Sequence, residues 1–330
     1  MHIAIIGAGL AGVSSAQRLQ AQGHSVVVYE KSWRPGGRMS TRQTELGGFD
    51  HGAQYFTARS PSFKKHLAQW RKAGWAARWE AKLVSLTAGK HKPAGRAQQR
   101  FVGVPGMNAL VRAMADGLDV RAGQTVKRIE RFGDQWLLSV VADTVPIAAT
   151  AGPFDAVLLA VPAEQAAPLL APVPAFAKQA AAITMAPCWT MMLGFQESLD
   201  LPYDGAWVEQ SRLGWICRDS SKPGRRAGEH WVAHASVAWS IEHLEDEPER
   251  AREKLLKAFH EATGSAVQPV YVAIHRWRFA QVPAPLPQDC LWDAKLRIGV
   301  CGDWFAAGLE GGGKVENAVL SGEALAALVG

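Results

Sequence analysis

Cysteine is scarce in this chain. Four occur in 330 residues, at Cys188, Cys217, Cys290 and Cys301. No two form a CxxC pair, and no His/Cys cluster has zinc spacing, so a disulfide scaffold and a structural zinc site are excluded and no metal is expected. The thiols read as free and buried, in a reducing compartment. Long apolar runs are also missing. Nothing approaches the ~20 residues that a membrane-spanning helix needs. The apolar start has no basic lead of the kind a secretory signal carries, and the expectation is a cytoplasmic protein without a membrane partner. Acidic residues are thin in one place. Between Lys31 and Arg131 there are 20 basic residues against 6 acidic ones, although the whole chain is only +6. Such a segment attracts phosphate, nucleic acid or an anionic surface, or is simply a solvated face. No nucleic-acid-binding motif accompanies it.

What remains is ordinary globular composition, with 48% hydrophobic and 20% charged residues. At ~100–200 residues per domain, the length suits two domains. Glycine is plentiful at 32 and tryptophan at 13. Most of the tryptophans belong in cores, and a few suit the wall of a flat pocket.

The glycines show their use at the N-terminus. Residues 2–6 form an apolar, β-branched run that predicts a buried strand. Gly7-Ala8-Gly9-Leu10-Ala11-Gly12 follows, then a helical pattern through Val13, Ala16 and Leu19 that Gly23 stops. Residues 25–29 predict a second strand, ending at Glu30. This is a βαβ start with GxGxxG at the first turn and an acid about 20 residues on, a pattern specific for dinucleotide binding. Gly7 permits the turn, Gly9 lets a pyrophosphate approach the backbone, and Gly12 allows helix and strand to pack closely. The helix N-terminus offers free N–H groups to phosphate, and Glu30 can accept ribose hydroxyls.

Gly36-Gly37-Arg38 comes next. The run from Ile3 to Arg42 resembles the FAD-dependent amine-oxidase superfamily, which includes monoamine and polyamine oxidases, phytoene desaturases and renalases. The resemblance covers roughly residues 1–60, 100–165 and 290–330. It implies an α/β fold: a Rossmann-type FAD-binding domain assembled from those discontinuous segments, and a second α+β substrate domain on a mainly antiparallel sheet, formed by 61–99 and 166–289. It implies FAD contacts from Gly7, Gly9, Ala11, Gly12, Glu30, Lys31, Gly37 and Arg38, the last over the pyrophosphate or ribityl arm. It also implies Val126 near adenine, Gly302 and Asp303 at the ribityl chain, and Lys314 and Val315 at a helix start facing the flavin. The residues themselves read as a strand over 296–300, a Gly-rich loop over 308–313 and a helix over 315–328. Residues 124–141 read as a β-hairpin, and a polar segment leads from it to a strand over 156–161. Neither Cys290 nor Cys301 matches the superfamily's tethering position, so non-covalent FAD is expected.

Asp50-His51-Gly52-Ala53-Gln54-Tyr55-Phe56-Thr57-Ala58-Arg59 and the run 100–107 resemble the renalase branch most. That resemblance implies Gln54 and Tyr55 beside the flavin, acting with Lys314 as the catalytic set. It implies Phe56, Thr57, Arg59, Arg100, Phe101 and Met107 around the substrate. His51 reads as either a buried, satisfied histidine or a site residue. In the second domain, 186–195, 206–218, 229–241 and 270–279 read as strands and 249–263 as an amphipathic helix with Leu255, Leu256 and Phe259 inward. His234, Trp239, His275 and Trp277 lie on those strands, with His234 and Trp277 the candidates for the pocket.

The resemblance implies oxidation of misplaced-hydride isomers of dihydronicotinamide to NAD(P)⁺, with O2 as electron acceptor and hydrogen peroxide as product. A dinucleotide substrate suits the basic segment, with Arg59 and Arg100 as phosphate partners. Two alternatives stand: an oxidase or desaturase of amines or hydrophobic substrates, and a non-catalytic flavoprotein holding an anionic partner through its basic half. Oligomeric state is not readable.

Overall fold

The computed structural model describes residues 1–87, 89–93, 98–306 and 314–330. Its helices are α1 (Leu10–Ala21), α2 (Pro61–Lys72), α3 (Met107–Met114), α4 (Ala163–Leu169), α5 (Pro174–Ala181), α6 (Val237–Glu242), α7 (Pro248–Thr263) and α8 (Val315–Val329). The protein is of mixed α/β class, with a Rossmann-type half.

A six-stranded sheet carries the N-terminal motif. Its order is Leu291–Asp293, Ile298–Val300, Ala156–Leu159, His2–Ile6, Ser25–Glu30, Asp119–Ala122. All neighbours are parallel except the first pair. Its three central strands, His2–Ile6, Ala156–Leu159 and Ile298–Val300, are buried on both faces, which explains their unbroken apolar runs. Ile3 and Ile5 pack toward α1 and α8, through Val13, Leu19, Val319 and Leu325. Ala4 and Ile6 face the other way, onto Trp136, Leu138 and Phe154. Those three belong to an antiparallel sheet of Gln124–Phe132, Gln135–Ala142 and Val145–Phe154. The hairpin is as expected. The polar segment after it is a third strand instead, at the edge of the sheet, where one face needs no apolar residues.

A seven-stranded sheet runs Tyr271–Gln281, Ala186–Phe195, Glu229–Ala235, Leu213–Arg218, Gly205–Glu209, Leu83–Thr87, Lys90–Pro93. It is antiparallel except where Gly205–Glu209 meets Leu83–Thr87. Alternation along one strand divides its two faces. Met191 and Leu193 pack with Leu255 and Phe259 of α7. Met192, with Trp215, Cys217 and Val232, faces the core that includes Phe49 and Phe56. The sheet therefore turns one side to α7 and the other to the segment after residue 50.

Two strand expectations are corrected. Residues 206–218 are not one strand: a turn with Gln210 at φ 54° divides them into a hairpin. Residues 229–241 end as a strand at Ala235, because the Ser236 Oγ accepts from the Trp239 N–H at 3.3 Å and caps α6. Trp239 is thus on a helix and packs against α7's core, away from any pocket.

Candidate functional site

At the first turn the backbone is shaped for a phosphate group. Gly7 has φ 104°, and a Cβ there would stand 2.6 Å from the Ala160 carbonyl oxygen. A Cβ on Gly12 would be 2.0 Å from the Gly7 oxygen. Gly9 differs: its Cβ would meet nothing within 4 Å. It caps α1 without a side-chain hydrogen bond, so the first-turn N–H groups point into open space. Gly37 closes over it, and a Cβ there would be 3.3 Å from the Gly9 Cα. Glu30 is 5% exposed, and its carboxylate accepts from Ala8 N at 2.8 Å and Ser32 N at 2.7 Å. Val126 is buried behind the same strand end, and Lys31 is exposed beside it.

Arg38 and Asp303 come from opposite ends of the chain and meet here. Arg38 Nη1 donates to Asp303 Oδ2 at 2.7 Å and Nη2 to Oδ1 at 2.5 Å. Gly302 N donates to Ser321 Oγ on α8 at 3.0 Å, which ties this corner to the last helix. Lys314 caps α8 and Val315 opens it. The Gly-rich loop expected over 308–313 lies outside the described residues. Ala11 serves packing: a Cβ on Gly322 of α8 would be 2.3 Å from the Ala11 oxygen.

These residues fit a dinucleotide cofactor. The gap at Gly9, the uncapped helix start, a buried acid at Glu30 and a guanidinium at Arg38 match a pyrophosphate with a ribose on one side and a polar chain on the other.

Beyond this cradle, Ala53 N donates to Arg38 O at 2.8 Å and fixes the 50–56 segment against the Arg38 loop. Gln54 is buried and its amide is fully engaged inside the protein. Nε2 donates to Asp50 O at 2.5 Å and Gly52 O at 2.9 Å, and Oε1 accepts from Lys222 Nζ at 3.2 Å and Cys217 Sγ at 3.0 Å. Tyr55 is half-buried in an aromatic box, with Trp215 at 5.7 Å and Trp79 at 6.2 Å between centroids. Trp207 stands edge-on to Trp215 at 5.0 Å. The Arg100 guanidinium lies over both Tyr55, at 5.1 Å, and Trp207, at 5.2 Å. Arg100 Nη1 donates to Gln98 O, while its buried Nε has no partner.

Three expected substrate residues sit elsewhere. Phe56 and Phe101 are 4% exposed and pair backbone to backbone, while their rings pack on each other and on Phe63 and Trp70. Met107 is fully buried, with its Sδ accepting from Gly103 N. Their side chains fill the core that supports the box. Thr57 is half-buried, and Arg59 is exposed. The Arg59 and Ser60 amides donate to Glu316 of α8, at 2.9 and 2.7 Å, which ties the start of α2 to α8.

On the other side, Trp277 Nε1 donates to His51 O at 2.8 Å, and its ring stacks on His51 at 5.2 Å. His275 lies edge-on to both, and Arg42 Nη2 is 3.5 Å from its Nδ1. Burial, helped by His275 and Arg42, pushes His51 down to about 3. His275 is lowered to about 4 by burial and Arg42. His234, 3.2 Å from Gln54 Nε2, is also lowered to about 4, by burial and Lys222.

Four charged residues that the sequence did not reveal lie beneath Gln54. Lys222 Nζ is 2.5 Å from Asp219 Oδ1 and 3.3 Å from Asp50 Oδ2, with all three side chains at 0% exposure. Arg225 also binds the Asp50 carboxylate. Thr41 Oγ1 and Met107 N donate to Asp50 Oδ1. Burial alone would raise the Asp50 carboxyl, but Lys222 and Arg225 hold it below its ordinary range. The available signal was Lys222-Pro223-Gly224-Arg225, which reads as an exposed basic turn.

The model of an NAD(P)-binding Rossmann-like domain matches residues 5–70. The model of the flavin containing amine oxidoreductases matches residues 72–330, most of the chain. The chain belongs to the flavin containing amine oxidoreductase family. It is an FAD-dependent oxidoreductase, and FAD is the cofactor of the cradle. A diapophytoene desaturase of Staphylococcus haemolyticus is 46% identical over 52 residues, which are 16% of this chain and 10% of that protein. The chain thus matches about a tenth of the length of this curated relative. Among solved structures, cyclohexylamine oxidase from Brevibacterium oxydans has a TM-score of 0.74 at 13% identity, covering 99% of this chain and 98% of that one. Putrescine oxidase with putrescine bound has a TM-score of 0.73 at 15% identity, with the same coverage. Those two support the fold.

Proposed function

We propose that this family member oxidises a dihydronicotinamide isomer of NAD(P) to NAD(P)⁺, with O2 as final acceptor and hydrogen peroxide as product. Bound FAD would supply a two-electron acceptor for hydride that O2 can reoxidise. The protein's share is to bind, orient and keep water out. Gly9, Gly37, Glu30, Arg38 and Asp303 would hold the cofactor. Tyr55, Trp79, Trp207 and Trp215 offer flat apolar walls that exclude water and stack a planar ring.

The observation that carries this reading is Arg100. A guanidinium held between two aromatic faces, with one N–H unpartnered, suits a flat substrate that bears an anion. An ammonium substrate needs a carboxylate or an uncharged aromatic cage. The two carboxylates beneath Gln54, Asp50 and Asp219, are fully buried and bonded to Lys222 and Arg225. Arg59, exposed at the head of α2, would serve as a second phosphate partner. Gln54 acts as a positioning residue for Tyr55, since its amide has no group left for a ligand.

The second reading is oxidation of an amine or a hydrophobic substrate. The names of the relatives favour it: putrescine and cyclohexylamine oxidases, and a polyene desaturase. One titration separates the two. Under anaerobic conditions, borohydride-reduced NAD⁺, pure NADH, putrescine and cyclohexylamine are each added to the oxidised flavoprotein. Bleaching of the flavin band by the isomer mixture alone is expected. Bleaching by the amines alone selects the second reading. Arg100→Ala should weaken the isomer's binding about tenfold or more, the value of one charge-assisted contact. Unchanged affinity removes Arg100 from the substrate site.

A further inference from the structure

We propose that the outer side of α2 carries a binding trough for a phosphate-bearing nucleotide, separate from the FAD cradle. Two hollows adjoin along this helix. One, of about 340 Å³, is lined by Lys64 and Arg71 with Gln98 and Gln99. The other, of about 530 Å³, shares Arg71 and adds Lys72 and Arg78. Both volumes fall within the range of small-molecule sites. Among the described residues, no acidic residue lines either one.

The charges here are not balanced as surface charges usually are. Among the described residues, Lys64, Arg71 and Lys72 have no carboxylate within ion-pair distance, and Arg78 has only the exposed Glu80 at 3.6 Å. The α2 sequence, PSFKKHLAQWRK, contains no acid at all. Lys64 and Lys65 follow Pro61 at the fourth and fifth helical positions, near the positive end of the helix dipole, with no acid in the first turn. The Glu316 carboxylate already meets the backbone at the head of α2, so a bound anion would be held by the cationic side chains along the helix. Arg71 is also held: its guanidinium lies 5.9 Å over the Phe101 ring, leaving its N–H groups for a ligand. Gln98 and Gln99 add amide groups that can meet a sugar or base.

The trough adjoins the strand that carries Arg100. Gln98 lines it, and the Gln98 carbonyl is the acceptor that holds Arg100 in the box. Strand residues alternate in direction, so Arg100 faces the box while Phe101 faces the trough. The shared chemistry is a phosphorylated nucleotide, whether it is the far half of the substrate or a separate molecule.

The test is calorimetric titration of the FAD-saturated holoenzyme with ADP, with adenosine alongside, at low and high salt. ADP should bind, with an affinity that falls as salt rises, and adenosine should not. The variants Lys64→Ala/Lys72→Ala and Arg71→Gln should each bind ADP at least tenfold more weakly while keeping their flavin and melting temperature. Absence of ADP binding, equal binding by the variants, or equal binding of adenosine overturns the proposal. Where ADP binds and competes with the reducing substrate, the trough holds that substrate's distal half. Where it binds without competing, the ligand is a separate nucleotide. Either result supports the site. Neither depends on which compound bleaches the flavin, so the proposal and the substrate reading fail separately.

Discussion

Lys222 sits between two carboxylates with no side chain of the three exposed to solvent. Moving an ammonium out of water costs several kcal/mol, and the pairing with Asp219 and Asp50, helped by the Gln54 amide oxygen, offsets it. Burial by itself would lower its pKa, but the two carboxylates more than reverse the shift. The partners come from distant parts of the chain: Asp50 from the hairpin after the nucleotide motif, Lys222 from the loop after a strand of the other sheet. Lys222→Met should therefore destabilise by about 3–5 kcal/mol, because Asp219 is left as a buried charge without a cation. Lys222→Met combined with Asp219→Asn should recover much of that loss. Urea unfolding of the three proteins measures it; a single variant within 1 kcal/mol of wild type would show that the cluster is not fixed. Nothing local in Ser221-Lys222-Pro223 distinguishes a buried lysine from a solvated one. The motif glycines are the opposite case. Gly7 and Gly12 each answer a local backbone demand, so the sequence carried their roles. Phe56, Phe101 and Met107 were placed by resemblance at the substrate. An aromatic side chain suits a pocket and a core equally well, and here the core has them.

Among the elements, α1 and α8 make the closest crossing at the site. Gly322 on α8 comes so near Ala11 that an added Cβ would lie 2.3 Å from a backbone oxygen, where no side chain can move aside. The same α8 bonds Gly302 through Ser321 and the head of α2 through Glu316. One helix thereby sets Asp303 and the start of α2. Gly322→Val should push α8 away from α1, costing about 1–3 kcal/mol as overpacking does. It should also lower the FAD retained after gel filtration. Full flavin content with an unchanged melting temperature would show that the crossing has room. The central strands of the Rossmann half were legible because both faces are buried and the apolar run is continuous, whereas the edge strands Asp119–Ala122 and Leu291–Asp293 were not read. The failures fell where a strand ends for a reason that periodicity does not record. Ser236 stops a strand by capping α6, Gln210 turns one strand into two, and the edge strand Val145–Phe154 has no buried partner on one side.

Across the whole molecule, charge is distributed unevenly, and so is its response to pH. His51, His234 and His275, brought together from three segments, are lowered to about 3, 4 and 4. His230 is shifted the same way, by burial and Arg226. A histidine kept neutral in the fold takes up its proton only on unfolding. Between the ordinary histidine value near 6.5 and the depressed values near 4, the unfolded chain binds more protons than the folded one. Stability must then fall as pH falls through that window. Three such groups give a slope of up to about 4 kcal/mol per pH unit, and less in practice because His275 is only half-buried. Asp50 acts later. It is held low, so its stabilisation is complete above the ordinary carboxylate range and is lost only as pH falls below it. The histidine loss should therefore come first, at a pH where Asp50 is still ionised. Urea midpoints at pH 7, 6 and 5 should decline, and His234→Asn should make the decline shallower by removing one proton from the difference. Midpoints that stay level from pH 7 to 5 would mean that these histidines are charged or solvated in the fold, and that the His51–His275–Trp277 stack beside Arg42 is not closed to water.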